Sequence, residues 1–128
     1  MAHEKPAHGT VCWNELMTRD VPAAEKFYSE LIGWKPVDSG MPGVKYTMFK
    51  VGEKDAGGLM QMPPDVPAQV PPHWMAYIAV DEVDKLAGKT KELGGQVLHG
   101  PEDIPNVGRF CVIQDPTGAV IGLIQMGG

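Results

Sequence analysis

The sequence predicts an α+β fold of two tandem βαβββ modules forming a curved mixed sheet around a cleft, with the helices on the outer face. Three observations carry this. The pentapeptide GLMQM (Gly58–Met62) returns 64 residues later as GLIQM (Gly122–Met126), and ELIGW (Glu30–Trp34) is answered by ELGGQ (Glu92–Gln96) at a spacing of 62. Between these landmarks each half reads strand, helix, three strands, and internal repetition of this kind specifies repeated structural units. Paired modules with one apolar sheet face each bury their helices behind the sheet and leave a cleft, the usual place for a ligand.

In chain order, Thr10–Met17 reads as a strand with Val11, Trp13, Glu15 and Met17 on one face. Asp20 offers an N-cap and Pro22 suits a first helical turn, while Ala24, Phe27, Tyr28, Leu31 and Ile32 recur at helical spacing until Gly33. Strands follow at Trp34–Val37, Val44–Val51 and Gly57–Met62. Pro63–Pro72 holds five prolines in ten residues, which suits a stiff surface crossover and neither a helix nor a central strand. The pattern then restarts. HWMAYIAV is a strand, Asp81 is the expected cap of a helix carrying Val83, Leu86, Ala87, Thr90 and Leu93 on one side, and Gly94-Gly95 ends it. Strands at Gln96–His99, Arg109–Gln114 and Ala119–Met126 complete the second module. The expected organisation is one domain over 1–128, with module one at about 9–62, the crossover at 63–72 and module two at about 73–126.

A length of 128 residues allows burial of roughly two thirds of the unfolded chain's surface. The net charge is −5 without any run of like charges, which argues against nucleic acid as a partner. No apolar run approaches the roughly 20 residues that span a bilayer, and the polar start lacks a signal-peptide pattern. The expectation is a cytoplasmic protein with no membrane partner. Cys12 and Cys111 have no CxxC spacing and read as reduced thiols packed as small core residues.

Four motifs then carry a resemblance: D-x-x-x-A-x-x-F-Y-x-x-L-I-G-W (Asp20–Trp34), V-D-E-V-D (Val80–Asp84), E-L-G-G (Glu92–Gly95) and D-P-T-G-A-V-I (Asp115–Ile121). In order and spacing they resemble the vicinal oxygen chelate superfamily of glyoxalase I, bleomycin-resistance proteins, fosfomycin-resistance enzymes and extradiol dioxygenases. The resemblance implies a small-molecule ligand and a homodimer. It also implies one divalent metal, held from the first, fourth, fifth and eighth strands. Those ligand positions fall here on Trp13, Gly58, Met75 and Gly122, none of which offers a side chain that suits a hard divalent ion. No cofactor is therefore predicted. A divalent metal in a rearranged site would have to use Glu15 and His73, with Gln61 or Gln125.

The candidate ligand pocket is Trp13, Glu15, His73, Met75 and Tyr77, an apolar lining with Glu15 and Tyr77 as polar handles. Glu15 is the catalytic candidate, because a carboxylate inside a strand needs a partner or a raised pKa; its bland reading is a rim charge satisfied by water or Arg19. His73 can bond backbone at the crossover, and His3, His8 and His99 read as terminal or loop residues. Tyr46 and Phe110 are equivalent at the 64 spacing, so both face the cleft or both face the helices. Arg109 suits a surface ion pair better than an anionic ligand. The leading function is small-molecule binding or sequestration of the bleomycin-resistance type without the usual metal. The alternatives are a glyoxalase I-like lyase or isomerase, or a dioxygenase, working through a rearranged metal site or Glu15 as general base, and a non-catalytic interaction module.

Overall fold

A computed structural model describes residues 5–41, 43 and 45–127; His3 and Val44 lie outside the described residues. The elements are β1 (Val11–Thr18), α1 (Val21–Ile32), β2 (Lys35–Asp38), β3 (Tyr46–Val51), β4 (Lys54–Gln61), β5 (His73–Ala79), α2 (Val83–Glu92), β6 (Gln96–Ile104), β7 (Gly108–Gln114) and β8 (Val120–Met126). Two helices and eight strands among the described residues give the α+β class that the repeat predicts. No helix among the described residues is long and apolar enough to cross a membrane.

The chain divides into two compact units, residues 14–75 and residues 5–13 with 76–127. The N-terminal segment groups with the second half because Gly9 N–H donates to the Ala79 carbonyl and Ala79 N–H to that of Thr10, each at 2.8 Å. In the first unit the strand order is β2-β3-β4-β1, with β1 and β4 parallel and the other pairs antiparallel. The second repeats this as β6-β7-β8-β5, again with one parallel pair, β5 and β8. Each unit has its own core. Leu16, Phe49 and Leu59 pack with Val21, Ala24 and Tyr28 of α1, and Val80, Val83, Ala87, Cys111 and Leu123 form the α2 core. Both cysteines are free thiols, and burial pushes each above its ordinary value.

α1 begins as its sequence predicts, with Asp20 Oδ1 accepting from Ala23 N–H at 3.1 Å, and it ends on Gly33 at φ 77°. Its seating differs from the expected stripe. Val21, Ala24 and Tyr28 face the core, whereas Phe27, Leu31 and Ile32 are more than half exposed. Apolar residues occupy two overlapping helical stripes here, and aromatic contacts decide between them. Tyr28 lies within 6 Å of the rings of Trp34, Phe49 and Trp74 and accepts a hydrogen bond from Trp74 Nε1 at 3.2 Å.

α2 is capped differently from the expectation as well. Its N-cap is Glu82, which makes no side-chain cap bond; the first helical N–H, of Val83, goes to Gln125 Oε1 at 2.9 Å. Asp81 instead sends its N–H to His8 Nδ1 at 3.0 Å. Gln61, the equivalent glutamine of the first repeat, donates from Nε2 to the Arg19 carbonyl just ahead of α1. Each repeat therefore ties its last strand to the start of its own helix.

Arg109 forms the expected surface ion pairs. Its Nε and Nη2 bind the two Asp84 oxygens at 2.8 and 3.0 Å, and Nη1 reaches Asp103 at 3.0 Å. The guanidinium holds the Asp84 carboxyl below its ordinary value, chiefly by hydrogen bonding. A depressed carboxylate contributes stability above its unfolded pKa and loses it as the pH falls through the folded one. Asp84→Asn should therefore lower Tm near neutral pH, and the gap to wild type should close below about pH 4; melting curves across acid pH check this, and a gap that persists in acid contradicts it.

Candidate functional site

Glu15 and Tyr46 in the first unit and Tyr77 and Phe110 in the second lie on the sheet face turned away from the helix of their own unit. In the first unit, alternation sends Leu16, Thr47, Phe49 and Leu59 toward α1, where Thr47 Oγ1 also donates to Glu25. Glu15, Tyr46 and Gly58 consequently take the other face. Glu15 and Gly58 are register partners on the parallel β1–β4 pair. Glu15 is 6% exposed and Tyr46 9%, and the tyrosine hydroxyl donates to Glu15 Oε1 at 2.7 Å. A short bond between a phenol and a buried carboxylate is of the charge-assisted kind. Arg19, the partner considered for Glu15 on sequence grounds, is used elsewhere: its guanidinium donates to the carbonyls of Val70 and Pro67 and holds the proline-rich crossover.

Gly58 makes this pairing feasible. A Cβ at that position would overlap the Tyr46 hydroxyl and ring carbons. The second unit repeats the device, since a Cβ on Gly122 would overlap the Tyr77 ring, and Tyr77 and Gly122 are register partners on β5 and β8. A glycine inside a strand marks a close approach by another group. In each unit that group is a tyrosine.

The five candidate pocket residues divide between the units. Glu15, His73 and Met75 belong to the first, with Met75 buried; Trp13, half-buried, and Tyr77, buried, belong to the second. His73 Nδ1 lies 2.9 Å from the Pro71 carbonyl, the backbone contact its sequence position suggests. It also lines an open cavity of about 550 Å³ with Leu16, Phe27, Tyr28 and Trp74, beside α1. Tyr46 was outside the candidate set. The signal that could have found it is the glycine in GLMQM, since a strand glycine marks a place where another group comes close. Phe110 faces away from the helix of its own unit, because the alternating neighbours Cys111 and Ile113 pack toward α2. Its ring lies 6.4 Å from Tyr77 and 5.6 Å from His99.

The residues at the metal-ligand positions do not fit a divalent ion. Gly58 and Gly122 lack donors, and the space a longer side chain would need is filled by Tyr46 and Tyr77. Of the substitutes considered, Gln125 binds the N-terminus of α2 and Gln61 the Arg19 carbonyl. Among the described residues, no group of three or more His, Cys, Asp and Glu side chains converges as a metal centre requires.

This architecture defines a class. The chain belongs to the Glyoxalase/Bleomycin resistance protein/Dioxygenase superfamily, whose sequence profile matches residues 9–123. It is 43% identical over 119 residues to a "Putative glyoxylase CFP32" of Mycobacterium tuberculosis, covering 91% of this chain and 46% of that protein. To the "Anthracycline biosynthesis protein DnrV" of Streptomyces peucetius it is 34% identical over 118 residues, covering 92% and 42%. The chain thus spans about half the length of these curated relatives. Among solved structures, methylmalonyl-CoA epimerase from Mycobacterium tuberculosis superposes with a TM-score of 0.62 at 16% identity, covering 94% of this chain and 89% of the epimerase. That likeness is one of fold.

Proposed function

We propose that this chain binds a small organic molecule through the helix-free sheet faces, with Glu15 as the polar handle and without a divalent ion at the family's usual ligand positions. One observation carries the reading. The 2.7 Å bond from Tyr46 to Glu15 fixes a buried carboxylate, and the tyrosine stands where a ligand side chain at position 58 would have to be. Burying a carboxylate is costly unless it is hydrogen-bonded. Such a group is well suited to recognising a donor on a bound molecule. Within the first unit the apolar Met75 suits a ligand surface beside Glu15, and within the second the aromatic Trp13 and Tyr77 suit one of their own.

A second reading is favoured by the relative named a putative glyoxylase: a lyase or isomerase in which Glu15 acts as general base. The same variant addresses both. Untagged protein should carry little metal by elemental analysis and a copurified small molecule by native mass spectrometry, and Glu15→Gln should lose that adduct while remaining folded. One equivalent of tightly held nickel, zinc, iron or manganese, lost with activity on substituting Glu15 and His73, would sink the first reading. Unchanged turnover in Glu15→Gln would remove the second.

A further inference from the structure

β6 departs from regular pairing twice within six residues. Val97 stands opposite Ile113, His99 opposite Val112 and Glu102 opposite Phe110, with a register shift in each interval. In an unbroken strand, Val97 and His99 would share a face, while His99 and Glu102, three residues apart, would point to opposite faces. Val97 packs with Ile113 against the α2 core. The first shift turns His99 to the opposite face, and the second brings Glu102 there too.

There the imidazole ring lies 5.6 Å from Phe110 at 35°, and His99 Nε2 is 2.8 Å from Glu102 Oε2. Gly100, between them, has φ 83°, and a Cβ on it would come within 2.8 Å of the Phe110 carbonyl oxygen, so a side chain is excluded twice over. Tyr77, seated over Gly122, continues the row on the far side of Phe110. Both side chains are about half exposed. An exposed pair of this kind adds little to stability, so stability does not account for two interruptions of the ladder. Bulges recur beside active sites because they re-aim a side chain.

We propose that His99 and Glu102, beside the Phe110–Tyr77 row, form a subsite for a planar aromatic molecule that carries an O–H or N–H donor. The inference rests on the small-molecule reading above. In the tautomer that carries its proton on Nε2, the imidazole donates to Glu102 and turns Nδ1 into an acceptor. The half-buried Phe110 ring supplies the apolar surface for a flat ligand, and the buried Tyr77 ring backs it.

Fluorescence titration of the full chain with 2-naphthol and 2-methylnaphthalene, which share a shape and differ in the donor, tests the subsite. Wild type should prefer 2-naphthol by about tenfold, the equivalent of one hydrogen bond to a fixed acceptor. His99→Phe retains a ring against Phe110 and should abolish the preference without weakening 2-methylnaphthalene; Glu102→Gln should narrow it. Equal affinity in wild type, or a preference retained in a folded His99→Phe protein, overturns the proposal. Failure of wild type to bind either probe also overturns it, whereas the broader reading falls only on the copurification and Glu15 results.

Discussion

A valine at position 58 is expected to cost about 2–3 kcal/mol of stability, as overpacking at a closed site does, and to abolish Glu15-dependent ligand binding. Its side chain would need the space that the tip of the Tyr46 ring fills. The ring must leave, taking with it the 2.7 Å bond to Glu15. A buried carboxylate deprived of that donor adds its own cost. Urea unfolding of Gly58→Val, Tyr46→Ala and the double variant isolates the cause. Removing the ring first makes room for valine, so the double variant should cost clearly less than the sum of the two singles. Additivity to within about 0.5 kcal/mol would show that the two positions act independently and would contradict the overlap.

Phe49→Ala should destabilise by about 3–5 kcal/mol, the range for truncating a buried aromatic. Phe49 is fully buried, packs with Leu16 and Leu59, and has the Trp34 ring tilted against it at 5.0 Å and the Tyr28 ring edge-on at 5.8 Å. Phe27 is the useful contrast. It is 55% exposed on the outer side of α1, and its removal should change stability by no more than about 0.5 kcal/mol. Thermal unfolding of the two variants decides how α1 is seated. Comparable losses would mean that the stripe expected from spacing, with Phe27 inward, is the one that packs.

The repeat made the fold legible because hydrophobic period, turn residues and helix stops recur together in both halves, and local signals that agree seldom mislead. Asp20, Pro22 and Gly33 bracket α1 by short-range chemistry, which a sequence displays directly. The helix faces were less legible. Choosing between the Tyr28 and Phe27 stripes depends on Trp34, Phe49 and Trp74, up to 46 residues away. The same limit hid the Asp81 error, since the acceptor for Val83 N–H comes from Gln125. At the candidate site, alternation placed Glu15 correctly relative to Leu16, but nothing local to β1 names Tyr46, which arrives from β3. His99 read as the end of a strand at Gln96–His99, beside a loop, whereas β6 runs on to Ile104. Two register shifts in β6 break the period of two that pattern arguments assume.

The two glutamines of GLMQM and GLIQM occupy equivalent places yet face opposite electrical demands. Gln61 offers a proton to a carbonyl, and Gln125 receives one from an amide. A carboxamide can do either by turning over, which a carboxylate cannot. Identity between the copies at this position therefore conceals a division of labour: a glutamate could replace Gln125 at the positive end of α2, but at position 61 it would set one oxygen against another. Two letters that look like preserved symmetry mark a point where the halves have ceased to be interchangeable.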